Sequence, residues 1–167
     1  MDVGTGSGAI AGALARRIEH LRVLAVERAP AALALAASNI AALGLVSRVE
    51  ILAGNLLEPA ASVAGTVDLV ISNPPYIASG AISGLPPEVR EWEPREALDG
   101  GPDGMTVHRQ LIAGAPPVLK PGGWLLMEMG EGQAGLLFRA MEAAGFEAVE
   151  VRRDLAGIDR MIAGRKL

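Results

Sequence analysis

The apolar positions fall into short blocks that alternate between two periods. Val67–Ile71 is a nearly unbroken apolar run rich in β-branched residues and bounded by turn formers, the pattern of a buried strand. Arg22–Glu27, Val49–Ala53 and Trp124–Met129 repeat it. Between them lie stretches with helical spacing: Ala9–Ile18; Pro30–Leu43, opened by proline and stopped by Gly44; and Gln133–Ala144, ended by Gly145. Met105–Leu119 is also helical, with Pro116 and Pro117 expected to end or distort its last turn. Two late strands, Glu147–Arg152 and Arg160–Ala163, close the chain, with Arg160 and Arg165 as solvated edge charges. Alternating strands and helices predict an α/β domain around a mostly parallel sheet.

In such a sheet, ligands bind outside the carboxyl ends of the strands. The strand Val67–Ile71 is followed by Ser72-Asn73-Pro74-Pro75-Tyr76. Two prolines fix φ, remove two donors and exclude helix, giving a rigid turn that offers an amide, free carbonyls and an aromatic ring. The Asn73 oxygen and the Pro74 carbonyl suit the two N–H groups of an amide or exocyclic amine, and Tyr76 suits its planar face. Positioning and charge stabilisation, without a strong base, would then drive methylation of that nitrogen.

Met1-Asp2-Val3-Gly4-Thr5-Gly6-Ser7-Gly8 is a glycine-rich turn leading into a helix, where close backbone approach and helix N–H groups favour a ligand. Glu27 ends the next strand at the spacing of a ribose-binding acid. Asn55 and Leu56 follow the third strand, placed to bond an adenine edge and pack on its ring. Ile77–Gly104 has no long periodic segment and leaves directly from Tyr76, as expected of a lid or substrate-binding loop.

Composition narrows these possibilities. The 167 residues carry a net charge of −4 and a pI near 5.2, so no global basic field grips a nucleic acid. With no Cys there is no thiol nucleophile or thiolate metal site, and neither His20 nor His108 has a ligand spacing, so no metal is expected. No apolar run reaches the length of a membrane span and no signal peptide is evident, which predicts a cytoplasmic protein.

The glycine turn, the strand-end acid and Asn-Pro-Pro-Tyr together resemble the class I S-adenosylmethionine-dependent methyltransferases. Glu93-Pro94, Gly100-Gly101, Asp103-Gly104, Arg109, Leu119–Gly123, Glu128-Met129-Gly130 and Gln133 are similar to the branch that methylates glutamine N5 in peptide chain release factors. That resemblance implies a Rossmann-like, doubly wound seven-stranded sheet with an antiparallel last strand, and residues 1–167 as the catalytic domain. It implies S-adenosylmethionine as cofactor, with Gly4, Thr5, Gly6, Ser7 and Gly8 on its methionine part, Glu27 on the ribose and Asn55 and Leu56 on the adenine. Asn73 would lie between cofactor and substrate. Asn73, Pro74, Pro75 and Tyr76 would clamp the glutamine of a release-factor Gly-Gly-Gln loop, with Asn73, Pro74 and Tyr76 catalytic. The family usually has Asp at the position of Asn55. It also carries an amino-terminal helical domain, expected here to be absent, with the first strand cut short. Two alternatives are an adenine-N6 methyltransferase acting on DNA or RNA, and a cofactor-binding fragment without turnover.

Overall fold

A computed structural model describes residues 1–167. In chain order the elements are β1 (Asp2–Val3), α1 (Ala9–Arg17), β2 (Val23–Glu27), α2 (Pro30–Ala42), β3 (Val49–Ala53), β4 (Val67–Ser72), the short helices α3 (Pro87–Arg90) and α4 (Arg95–Leu98), α5 (Thr106–Val118), β5 (Leu119–Glu128), α6 (Ala134–Ala143), β6 (Phe146–Arg153) and β7 (Asp159–Lys166). One seven-stranded sheet runs in the order β3-β2-β1-β4-β5-β7-β6. Every neighbouring pair from β3 to β5 is parallel, and β7 is antiparallel to both β5 and β6. The chain therefore winds outward from β1 in one direction and from β4 in the other, leaving a topological switch point between them.

The short β1 is central. Asp2 and Val3 pair with Ala25 and Val26 on one side and with Ile71 and Ser72 on the other. The ladder continues past both ends of the strand, because the Ile71 amide donates to the Met1 carbonyl and the Gly4 amide to Val26 O. The Met1 ammonium donates to Leu69 O at 2.6 Å, and the Ser72 hydroxyl to Val3 O at 2.7 Å.

Helices α1 and α2 touch each other and cover β2 and β3, while α5 and α6 touch each other and cover β5, β6 and β7. Beneath the first pair Ala11, Ala15, Ile40, Val23, Ala25 and Val49 form one core, its small residues letting α1 lie close on the sheet. The larger core includes Val3, Val70, Leu111, Leu125, Met127, Met129, Leu137, Met141 and Ile162. Both methionines of β5 and its extension are fully buried, so they are core filling, each side chain contributing about 1.5–3 kcal/mol relative to exposure.

Helix α5 carries Pro116 and Pro117 in its last turn and ends at Val118, as the two prolines lead one to expect, with the Leu119 amide closing on Ala115 O. Two local expectations change. Strand β5 begins at Leu119, before the turn at Pro121-Gly122-Gly123, since Val67 pairs with Leu119 and Leu69 with Trp124 across a register shift. The Arg160 side chain is not a solvated edge charge. Strand β7 lies inside the sheet with β6 at the edge, and Arg160 reaches Asp154 Oδ2 at 3.3 Å and Met129 O at 3.4 Å.

Candidate active site

The strand order sets the carboxyl-edge loops side by side: Asn55–Leu56 after β3, Glu27 at the end of β2, Gly4–Gly8 after β1, Asn73–Tyr76 after β4, and the segment that follows Glu128 of β5. At about 4.8 Å per strand, the residues from the β3 loop to the β4 turn span roughly 14 Å. All the cofactor and substrate residues anticipated from sequence thus lie along one edge.

Gly4, Gly6 and Gly8 have φ of 68°, 56° and 78°, a left-handed path that side chains rarely take. A Cβ on Gly4 or Gly6 would meet nothing within 4 Å, so the loop leaves open space there, whereas a Cβ on Gly8 would lie 3.4 Å from Ala36 of α2. That distance is ordinary van der Waals contact, so it is the left-handed backbone of Gly8, and not helix packing, that favours glycine there. Ser7 O accepts the Asn39 side-chain amide at 2.9 Å, tying the loop to α2.

Sequence reasoning did not single out Asp2, which is fully buried beneath this loop. Its Oδ2 accepts the Thr5 hydroxyl at 2.6 Å and the Ala11 amide at 3.0 Å, and its Oδ1 is buried without a partner. Burial pushes the Asp2 carboxyl above its ordinary value, while the Thr5 and Ala11 hydrogen bonds pull it down. An acid two residues before the first glycine was the available signal.

Glu27 is engaged by backbone amides. Its Oε2 accepts from Gly6 at 3.0 Å, and its Oε1 from Arg28 and Ala29 at 2.8 and 2.9 Å. A carboxylate oxygen has two lone pairs, so Oε1 is filled and Oε2 retains one acceptor direction. The acid therefore has room for one further direct hydrogen bond. Asn55 is exposed, its amide 3.4 Å from Glu58 Oε1, and Leu56 holds φ 50° while packing against the larger core.

Asn73 is solvent-exposed at the end of β4, while Pro74 behind it is buried. The Tyr76 hydroxyl donates to Glu128 Oε1 at 3.1 Å, and its ring edge stands where a Cβ on Gly130 would come within 3.3 Å. Burial, followed by the Glu128 carboxylate, pushes the Tyr76 phenol above its ordinary value, with Arg160 acting in the opposite sense. The phenol is a neutral donor held by the sheet.

The segment from Ile77 to Gly104 is pinned at its base. The Ile77 amide donates to Leu98 O and the Gly100 amide to Ile77 O, and Ser79 Oγ donates to Asp99 Oδ1 at 2.5 Å. Asp103 pairs with Arg109, which holds its carboxyl at about 2. The distal part is exposed, with Trp92 83% accessible. Buried His108 accompanies these residues, its Nε2 2.8 Å from Glu128 O.

The sheet order, the single reversed strand and the loop cluster at the switch point define a Rossmann-like, class I methyltransferase fold. The methyltransferase small domain model matches residues 1–84, half of the chain, and the chain belongs to that family. It is 45% identical over 165 residues to a release factor glutamine methyltransferase of Geobacter sulfurreducens, covering 99% of this chain and 57% of that one. A release factor glutamine methyltransferase of Cereibacter sphaeroides is 46% identical, over 99% and 58% of the two chains. The chain thus spans 57–58% of the length of these curated relatives. Among solved structures, a methyltransferase from Pyrococcus furiosus superposes with a TM-score of 0.71 at 19% identity, over 99% of this chain and 73% of that one.

Proposed function

We propose that residues 1–167 form the catalytic domain of a protein-(glutamine-N5) methyltransferase whose acceptor is the Gly-Gly-Gln glutamine of a peptide chain release factor. The observation that carries this reading is exposed Asn73 next to rigid Pro74, at the end of β4 and directly across the switch point from the open glycine loop. Identity of 45% to a curated relative of that name, over 99% of this chain, supports the acceptor assignment.

The residues at the edge fit S-adenosylmethionine. The unpaired, buried Asp2 Oδ1 beneath the Gly4–Gly8 loop suits the ammonium of the methionine part. The remaining Glu27 acceptor suits one ribose hydroxyl, and Asn55 and Leu56 flank the adenine position. When bound, this cofactor supplies an electrophilic sulfonium methyl.

The other contributions come from the chain. Asn73 Oδ1 and the Pro74 carbonyl accept the two N–H groups of the acceptor amide and turn its nitrogen towards the glycine loop. Tyr76 presents a ring that cannot rotate away, because Glu128 holds its hydroxyl. The two carbonyl dipoles would stabilise the positive charge that grows on the nitrogen as it takes up a methyl group. The proton then leaves to water, for which no base is required. Glu27, Glu58, Glu128 and Glu131 lie along this edge and oppose a nucleic-acid backbone, favouring a protein acceptor over DNA or RNA. With its release factor, the enzyme would work in the cytoplasm; no helix is long and apolar enough to cross a membrane.

The test is methyl transfer to a purified release factor, read by mass spectrometry of the Gly-Gly-Gln peptide, with Asn73→Ala as control. Methyl on that glutamine, falling by about 10²–10³-fold in the variant, is expected from loss of a group that stabilises developing charge. Methylation of adenine in DNA with an unmodified glutamine would overturn the reading.

A further inference from the structure

Gln133 lies just before α6, in the segment that follows Glu128, and its side chain ties that segment to the Tyr76 turn and to Gly104. Its Oε1 accepts the Gly130 amide at 2.9 Å, while its Nε2 donates to Tyr76 O at 3.0 Å and to Gly104 O at 3.2 Å. An amide N–H on one side and two carbonyls on the other leave only one orientation that satisfies every group, so oxygen and nitrogen are fixed by their partners. The junction is tight. Gly104 has φ 75°, and a Cβ there would come 2.3 Å from Tyr76 O and 2.8 Å from Gln133 Nε2. Gly130 is constrained less severely, a Cβ falling 3.3 Å from both Gln133 Oε1 and the Tyr76 ring.

We infer that Gln133 is a positioning residue, a clamp that sets the Asn73–Tyr76 turn against the base of the 77–104 loop and so fixes where the acceptor nitrogen is held. The turn has two prolines and few donors of its own, so its backbone is held from outside. Glu128 fixes the Tyr76 hydroxyl and Gln133 the Tyr76 carbonyl, gripping the residue at both ends. The Ile77 amide shares its peptide plane with the Tyr76 carbonyl and donates to Leu98 O, and the Gly100 amide donates to the next carbonyl, Ile77 O. Both bonds at the loop base thus adjoin the group that Gln133 holds. The kinetic part of this inference rests on the proposed glutamine methylation; the clamp does not.

The experiment compares the 167-residue chain with its Gln133→Glu and Gln133→Ala variants. In Gln133→Glu the Gly130 contact is retained, but a carboxylate oxygen faces two carbonyls. Hydrogen exchange at the Ile77 and Gly100 amides is expected to accelerate at least about tenfold, with loss of the bonding that holds the turn. The kcat for the Gly-Gly-Gln glutamine is expected to fall about 30–100-fold, as misplacement by an ångström does, with S-adenosylmethionine affinity within about twofold of the parent. Unchanged exchange at both amides overturns the inference. So does a fall in kcat matched by equal losses of cofactor affinity and Tm, which marks general damage. If the parent chain leaves that glutamine unmodified, the proposed reaction fails, and exchange at Ile77 and Gly100 alone decides whether Gln133 is the clamp.

Discussion

The phenolic oxygen of Tyr76 lies 3.1 Å from Glu128 Oε1, joining the turn after β4 to the last residue of β5. These strands are neighbours in the sheet, so the contact holds the ring where an acceptor amide would stack. Tyr76→Phe keeps the ring and removes one hydrogen bond of about 1 kcal/mol, which predicts a loss of about threefold to tenfold in kcat. Tyr76→Ala removes the platform and is expected to cost about 10²-fold. Steady-state kinetics of the two variants check this; equal losses would show that the hydroxyl, and not the ring, matters. With its phenol pushed above the ordinary value, Tyr76 should show an ultraviolet titration midpoint above the usual value of about 10.

Glu27 joins the glycine loop to the start of α2 through three backbone amides. In Glu27→Gln one oxygen becomes a donor and faces an N–H group, leaving at least one amide without its partner. Thermal unfolding should show a loss of about 1–3 kcal/mol. Calorimetry with S-adenosylmethionine should show binding weakened about tenfold, because a charged acceptor of the ribose is lost. Unaltered cofactor affinity in a destabilised variant would leave Glu27 a scaffold for the loop and remove it from the binding site.

Much of the site was legible because its signals are local. The apolar run before Asn73, the proline pair after it and the glycines after β1 each fix their own conformation. What sequence did not disclose depends on strand order and on which groups satisfy one another. Arg160 reads as an edge charge until β7 is found between β5 and β6, which turns its guanidinium towards the end of β5. Glu27 reads as a free ribose acid until Gly6, Arg28 and Ala29 are found on it. Asp2 lies too near the first residue for any periodicity to mark it as buried, and Gln133 reads as an ordinary residue before a helix. Gln133 acts through Tyr76 and Gly104, which are distant in sequence, where spacing carries no information.

The Asp103–Arg109 pair provides a local pH reporter. Arg109 holds the Asp103 carboxyl at about 2, helped by the Met105 amide. Because this value is depressed below the unfolded one, the contribution of the pair is present above about pH 4 and is lost as pH falls through about 2. Carbon-detected NMR titration of Asp103 should find that low midpoint, and Arg109→Gln should move it up towards the ordinary carboxylate value. A midpoint unmoved by Arg109→Gln would mean the backbone amide alone depresses it. The pair is exposed, so Tm should hardly respond.

His108 sets the opposite end of the pH range. Its ring is fully buried behind Glu128, with Nε2 2.8 Å from the Glu128 carbonyl and Nδ1 without a partner. In the neutral ring the Nε2–H donates to that carbonyl, leaving Nδ1 as an unprotonated acceptor. Burial lowers the imidazole pKa, opposed by the carbonyls of Glu128 and Gly104. The unfolded chain therefore takes up a proton near pH 6.5, where the native state still refuses it. Bound protons are then more numerous in the unfolded state, so stability is greatest above about pH 6.5 and falls as pH drops towards the native value. Denaturant unfolding between pH 7.5 and 5 should show this slope. His108→Gln can keep a donor to Glu128 O while removing the titration, and should flatten it. His108→Leu should flatten it as well, with an added loss of about 1–3 kcal/mol at every pH, from the carbonyl left without a donor. A slope that persists in both variants would assign the proton uptake to another group.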